Sequence, residues 1–337
     1  MSVLRYDVTT GDWVTLASAR ASRPDQLGVT RGAPRVPLPA HDPKCPFCPG
    51  NEAETRPTVD QELDPLEPGR WTTRIFENKF PALEGEGPIT RRQVHGLFRE
   101  MEGHGRHEVL VESRDHGVSF AELAPEQRLR VLELLHRRAQ ALGADPALEV
   151  VQIFKNSGAS AGASLAHSHF QLIATPVVPH QIRIKMLAAA DHYQLTGRSV
   201  YVELCQAELD AGARVIATND AFVAFAPFAS RAAYEIWVMP RVPAPTFGQA
   251  QRSTLPDLAA ILGDMLRRLA RALDDPPYNL IINSAPRRNA DEPDFVWHVE
   301  ILPRVAVLGG FELGTRMAIS TVEPERAAER LREAGSP

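Results

Sequence analysis

The chain has 337 residues, enough for one large domain or two modest ones. Hydrophobic residues make up 44% and charged residues 23%, the balance of an ordinary soluble globular protein. A formal net charge of −5 argues against general binding to nucleic acid or to anionic membranes, and no apolar run reaches the roughly 18 residues that a membrane span needs.

Taken in chain order, the stretch from Met1 to Gly11 is polar and reads as a mature start without a signal peptide, so a cytoplasmic location is expected. A strand is expected over Trp13–Leu16. Many of the 28 prolines cluster in 34–49 and 57–68, which reads as loop or extended chain. Cys45 and Cys48 form a C-x-x-C inside the first cluster. Only Cys205 remains besides them, too few for a disulfide scaffold. Alternating apolar residues predict strands over 93–98 and 107–111. Ser119 and Glu122 form a capping-box pattern ahead of a helix whose stripe is Leu129, Leu132, Leu135, Ala139 and Leu142, closed by Gly143. Strands follow over 150–154 and 170–174. Residues 183–212 look helical and link two halves. In the second half, strands are expected over 221–226 and 234–238, and a helix starts near Pro256 with Ile261, Met265, Leu269 and Leu273 on one side. It stops at Asp274-Asp275-Pro276-Pro277, and a strand over 299–302 follows.

The halves repeat one another. Asn78 near a Phe, then a strand, a turn, a Phe, a helix and an Asn-Ser pair recur as Asn219, a strand, a turn, a Phe, a helix and Asn283-Ser284. The separation from Phe120 to Asn156 equals that from Phe247 to Asn283, 36 residues in each. Strands joined by short turns with a helix after them give an α+β architecture, with antiparallel sheets and helices packed on one face.

The chemistry concentrates between Asn156 and Gln171. A run of Gly, Ala and Ser leads into His167, His169 and Gln171, which share one face if the segment is a strand. The small residues let backbone N–H groups approach an anion closely. A neutral imidazole such as His169 can attack phosphorus and hold it as a reactive N–P adduct. Gln171, Ser164 and the backbone near Gly162 can then stabilise the non-bridging oxygens. Cys45 and Cys48 suit a metal better than a thioredoxin-like redox pair, because their Pro-rich loop lacks a βαβ context. Two imidazoles would complete a tetrahedral zinc site. His116 and His167 are candidates, with His41, His95, His104 and His107 competing.

With these motifs in hand, the chain resembles the galactose-1-phosphate uridylyltransferases and their relatives in the histidine-triad superfamily. The resemblance runs through Arg20-Ala-Ser-Arg23-Pro24, Cys45-Pro-Phe-Cys48-Pro-Gly-Asn51-Glu52, Phe76-Glu-Asn78-Lys-Phe80-Pro-Ala-Leu83, Asp115-His116, Phe154 to Ser164, and His167-Ser-His169-Phe-Gln171. It implies two histidine-triad-like halves, 1–180 carrying zinc and the catalytic histidine and 181–337 degenerate and contributing the sugar site. It implies a ping-pong reaction in which a UDP-sugar gives UMP to His169 and a hexose 1-phosphate then takes it. By the same carry-over, Gln171 holds the nucleotide phosphate, and Cys45, Cys48, His116 and His167 bind one structural Zn2+. Arg20, Arg23, Asn78, Asn156, Gly162 and Ser164 contact the nucleotide. A homodimer is implied, with the sugar site completed by the partner's C-terminal segment around Phe311 and Gly314.

The sequence also departs from that pattern. Ser168 stands where the family has Pro, and Phe170 where it has a small residue. Val296 replaces the first histidine of a second pair that some members use for a second metal, which leaves His298 as a structural histidine. Thr315 and Arg316 stand where the uridylyltransferases have Tyr and Glu. The alternative carrying the same chemistry is an ADP-sugar or dinucleoside-polyphosphate phosphorylase. A zinc-stabilised nucleotide-binding module without turnover is the alternative from another class.

Overall fold

The computed structural model describes residues 2–22, 37–87 and 89–335. The chain opens with β1 (Val3–Tyr6) and β2 (Trp13–Leu16), then β3 (Thr58–Leu63) and β4 (Trp71–Glu77). A short hairpin, β5 (Arg91–Val94) and β6 (Phe98–Met101), precedes β7 (Arg106–Val111) and the helix α1 (Pro125–Gly143). After β8 (Val150–Ser157) and β9 (His169–Thr175) come α2 (His180–Thr196) and α3 (Val200–Ala211). The second half holds β10 (Val215–Thr218), β11 (Phe222–Phe225), β12 (Ile236–Pro240), α4 (Leu255–Leu273), β13 (Tyr278–Asn283) and β14 (His298–Pro303). The C-terminal part is α5 (Gly310–Thr315), β15 (Ile319–Ser320) and α6 (Pro324–Glu333).

Ten strands form one antiparallel sheet in the order β10-β11-β12-β14-β13-β8-β9-β7-β4-β3. The expected repeat is visible in this order. Read outward from the middle, β8-β9-β7-β4-β3 is matched by β13-β14-β12-β11-β10. The halves meet at the β8–β13 pair, where Tyr278 lies opposite Ser157 and Ile282 opposite Ile153.

The sheet's two faces follow from strand alternation. On β9, Phe170, Leu172 and Ala174 point into the core beneath α1 and α4, with Leu132, Leu135, Leu262 and Leu266. Burial of each of these Phe and Leu side chains contributes about 1.5–3 kcal/mol. On the opposite face, α2 and α3 cover β11 and β12 through Ile182, Met186, Tyr201, Val223, Phe225 and Trp237. At the other end of that face, the Cys45–Cys48 loop covers β4 and β7 through Phe47, Cys48, Phe76, Val109 and Val111. Between these two coverings, Gln171, Phe154, Asn156, Asn279 and Ile281 remain only half-buried. That ground spans the seam between the halves. Among the described residues, no helix is long and apolar enough to cross a membrane.

Three local expectations differ from the structure. The alternation over 93–98 continues through a reversal, because His95 and Gly96 both take positive φ (48° and 75°) and fold the segment into the β5–β6 hairpin. The Ser119–Glu122 pair does form, with the Glu122 carboxylate accepting from the Ser119 amide at 3.0 Å and its hydroxyl at 2.7 Å. It closes a turn ahead of the helix, which starts only at Pro125. Ala124 is extended (ψ 149°), as a residue before proline prefers. Finally, α1 and α4 share a face, while α2 and α3 occupy the other.

Candidate active site

His169 opens β9 on the half-open face, and Gln171 follows on the same side. The His169 ring is 5% exposed and sits edge-on to Phe47, with centroids 5.3 Å apart. Its Nδ1 lies 2.8 Å from the carbonyl oxygen of His167. Nδ1–H is therefore the donor, and the lone pair is left on Nε2. Burial, reinforced by the positive charge of Lys155, pushes the ring's pKa down to about 4. At neutral pH His169 is an uncharged imidazole with a fixed tautomer, the form a nucleophile requires.

Cys45, Cys48, His116 and His167 are all buried, and their ligand atoms lie within 4.8 Å of one another. Cys48 Sγ is 3.5 Å from His116 Nδ1 and 3.7 Å from His167 Nδ1, and Cys45 Sγ is also 3.7 Å from His167 Nδ1. A tetrahedral site with ordinary Zn–S and Zn–N lengths has S···N edges of about 3.6 Å. The four residues therefore fit a metal ion, and the competing histidines stay outside the cluster. Burial, reinforced by the neighbouring Cys48 thiol, pushes the Cys45 thiol up to about 11. His167 Nε2 donates to the Ser113 carbonyl at 2.9 Å, which leaves Nδ1 as its ligating atom. The loop is held from outside as well. Asn51 Nδ2 donates to the carbonyls of Pro43 and Cys45, and Trp71 Nε1 donates to Glu52 at 2.7 Å.

The small-residue loop after β8 is anchored from the other half of the chain. Asn279 Nδ2, on β13, donates to Asn156 Oδ1 and to the Ala161 carbonyl, each at 2.8 Å. Gly158 has φ 86°, and a Cβ there would lie 2.8 Å from Pro277. The amides of Ala161, Gly162 and Ala163 turn inward to the carbonyls of Gly158 and Ala159. Ser164 and Gly162 remain exposed on the loop, and Asn156 is half-buried beside them.

Both departures inside the His-Ser-His-Phe-Gln segment point away from this face. Phe170 packs edge-on against Phe120 in the core, with centroids 5.7 Å apart. Ser168 Oγ donates to Glu112 at 2.7 Å and lies 2.7 Å from Lys155 Nζ, which is paired with Glu112. A buried ion pair and a hydroxyl thus tie down the backbone between the two histidines.

Gln171 is held by a residue that the sequence offered only as a competing metal ligand. Gln171 Oε1 lies 2.9 Å from Nε2 of His107, which is buried on β7. Asn78 Nδ2 lies 3.2 Å from the same nitrogen, and Asn78 Oδ1 accepts from the Phe80 amide at 2.9 Å. Within the apolar run of β7, His107 reads as one more strand residue. Only the β7–β9 register, with Val109 opposite Gln171, places it diagonally beside Gln171. Asn279 and Phe47 likewise carried no local signal.

The equivalent position in the second half is closed. His298 Nδ1 lies 2.9 Å from the Val296 carbonyl, repeating the His169–His167 contact. Its Nε2 faces Lys185 Nζ at 3.5 Å and Glu300 at 3.4 Å. The ring is stacked between Tyr201 and Trp237 and has no exposure. His298 is a satisfied structural histidine, as expected.

Arg20 lies exposed in the turn Ser18–Ser22, and Arg23 falls outside the described residues. Phe311 and Gly314 sit on the exposed helix α5, with Phe311 49% exposed.

Comparison with known proteins places this geometry in context. Residues 1–179 match a family model described as galactose-1-phosphate uridyl transferase, N-terminal domain, and residues 104–334 match a domain of unknown function, DUF4921. An ADP-glucose phosphorylase of Arabidopsis thaliana is 34% identical over 98% of this chain and 92% of its own length. A galactose-1-phosphate uridylyltransferase of Thermotoga maritima is 28% identical over 99% and 98%. The crystal structure of an ADP-glucose phosphorylase from Arabidopsis thaliana with bound ADP-glucose superposes with a TM-score of 0.83. It is 32% identical and covers 99% of each chain.

Proposed function

The chain belongs to the galactose-1-phosphate uridylyltransferase family of nucleotidyltransferases, and on that premise we propose that it is an ADP-sugar phosphorylase working through an adenylylated His169. His169 Nε2 attacks the phosphorus of the AMP moiety of ADP-glucose. The bond from that phosphorus to the bridging oxygen breaks, and glucose 1-phosphate leaves. An oxygen of inorganic phosphate then attacks the same phosphorus, the N–P bond breaks, and ADP departs with the His169 lone pair restored. Throughout, Nδ1–H stays on the His167 carbonyl, so the ring enters and leaves in one tautomer.

The single observation that carries the nucleophile is the buried, neutral His169 ring with its Nδ1 engaged and Nε2 left over. The adenine assignment is supported by the 34% identity to an ADP-glucose phosphorylase over nearly the whole chain; Thr315 and Arg316, standing where uridylyltransferases have Tyr and Glu in the sugar-contacting segment, argue against galactose rather than for a base. Gln171, Asn78, Asn156, Gly162 and Ser164 line the nucleotide-phosphate side in this reading, and the resemblance adds Arg20 and Arg23 as nucleotide contacts. The donor set of Cys45, Cys48, His116 and His167 suits zinc, which would fasten the 45–48 loop to the strand of His169 as a structural ion. The boundary between the active and degenerate halves falls at 180/181. A homodimer is supported by the exposed apolar run Val307, Leu308, Phe311 and Leu313, which a partner would cover.

A second reading, uridylyl transfer from a UDP-sugar to a hexose 1-phosphate, is favoured by the family description over 1–179 and by the Thermotoga maritima relative. Intact-protein mass measurement after mixing with ADP-glucose or UDP-glucose separates the two. An acid-labile adenylyl adduct discharged by inorganic phosphate is expected. A uridylyl adduct discharged only by hexose 1-phosphate overturns the adenine assignment, and no adduct with either sugar overturns the covalent reading.

A further inference from the structure

We propose that His107 is a positioning residue that fixes the direction of the Gln171 amide. This inference rests on the nucleotidyl-histidine reading above and adds to it a residue that the motif does not contain. A glutamine side chain presents an oxygen or an NH2 group with nearly the same shape, and only its partners decide which end faces the substrate. For Gln171 to stabilise a phosphate oxygen, its NH2 group must point to the nucleotide, so its Oε1 must be held from behind by a donor.

His107 provides that donor. The Ala82 amide donates to His107 Nδ1 at 3.1 Å, which requires a lone pair on Nδ1 and therefore puts the proton of the neutral ring on Nε2. Nε2–H then donates to Gln171 Oε1 at 2.9 Å. The Gln171 NH2 is left free on the half-open face, two residues from His169. The chain of command runs from a backbone amide through one buried ring to one side-chain amide, and each link has a single polarity. Asn78 competes for the same nitrogen: its Oδ1 accepts from the Phe80 amide at 2.9 Å, and its Nδ2 lies 3.2 Å from His107 Nε2, a contact that would need Nε2 as an acceptor. The Ala82 amide on Nδ1 decides for the Nε2–H tautomer, which leaves Gln171 Oε1 as the acceptor of that proton.

The test compares single-turnover formation of the nucleotidyl adduct in the wild type, His107→Leu, His107→Gln, Gln171→Ala and the double variant His107→Leu with Gln171→Ala. Loss of one preorganised donor costs roughly 10²–10³-fold in rate, and loss of its positioning a part of that. His107→Leu is expected to slow adduct formation about 10–100-fold with nucleotide-sugar affinity nearly unchanged. His107→Gln keeps an N–H near the Nε2 position and restores most of the rate. In the Gln171→Ala background, His107→Leu adds little further loss, because the group it acts through is already gone. Equal rates for the wild type and His107→Leu overturn the proposal, as do additive losses in the double variant. Should His107→Leu not fold, the ring's tautomer read by 15N NMR in the wild type decides: a proton on Nδ1 overturns it. A wild type that forms no adduct overturns the nucleotidyl-histidine reading itself, a result distinct from all of these.

Discussion

His167 serves two neighbours with two different atoms. Its ring Nδ1 faces the thiols of Cys45 and Cys48 at 3.7 Å, while its backbone oxygen accepts from Nδ1 of His169 at 2.8 Å. The candidate metal centre and the candidate nucleophile are therefore joined through one residue, and Phe47 between the two cysteines touches both rings.

Replacement of the nucleophile should separate chemistry from structure. His169→Asn is expected to abolish adduct formation and lower turnover by at least about 10³-fold, with metal content and melting temperature close to the parent. Intact mass, turnover and calorimetry read these together. Parental turnover in this variant removes His169 from the mechanism.

Metal removal should act on both sites. Elemental analysis is expected to find one zinc per chain. Cys48→Ser should lose it, with a fall in melting temperature of about 5 °C or more, given roughly 2–4 °C per kcal/mol for chains of this order. Adduct formation should decline in parallel, because the His167 carbonyl moves with its ring. Full metal content in Cys48→Ser contradicts the four-residue site.

The buried Lys155–Glu112 pair makes a strong stability prediction. Lys155→Met leaves the fully buried Glu112 carboxylate without its main counter-charge, an effect worth about 3–5 kcal/mol. The double variant Lys155→Met with Glu112→Leu should recover much of that loss. Urea unfolding of the four proteins measures the cycle, and equal losses in single and double variants contradict it.

Much of this was legible in the sequence, and the rest was hidden for a physical reason. The helices showed themselves by a 3.6-residue period, and the reacting imidazole by its place after a run of small residues. Those are local signals. The Cys45 loop and His116 were local too, but their meeting with His167 needed the resemblance. His107, Asn279 and Glu112 act across strand pairs or from the other half of the chain, where spacing says nothing. The α2–α3 pair was recognised as helical, yet nothing in its own pattern revealed which face of the sheet it would cover. The hairpin at His95 was masked because a non-glycine residue took a left-handed conformation there.

Acid should destabilise the fold before carboxylates titrate. Burial pushes His136 below its ordinary value against the helping Ala250 carbonyl, and burial with the Lys185 charge does the same to His298. Groups with a lowered folded pKa take up protons more readily when unfolded. Their contribution is full above about pH 6.5 and is lost progressively as pH falls below it. Urea midpoints should drop between pH 7.5 and 5.5, and His136→Asn should flatten part of the slope. An unchanged slope in that variant contradicts the assignment to His136.

The seam at β8 and β13 decides where the chain cannot be cut. Severing the chain after residue 180 would strip β8 of the neighbour that now satisfies its outer flank, baring a row of unpaired amides and carbonyls of the kind that recruits foreign strands. The same cut would remove Asn279, and with it the clasp on the 158–163 loop. The half from 181 onward is thus a splint for the half that carries His169, while its own His298 lies fully buried.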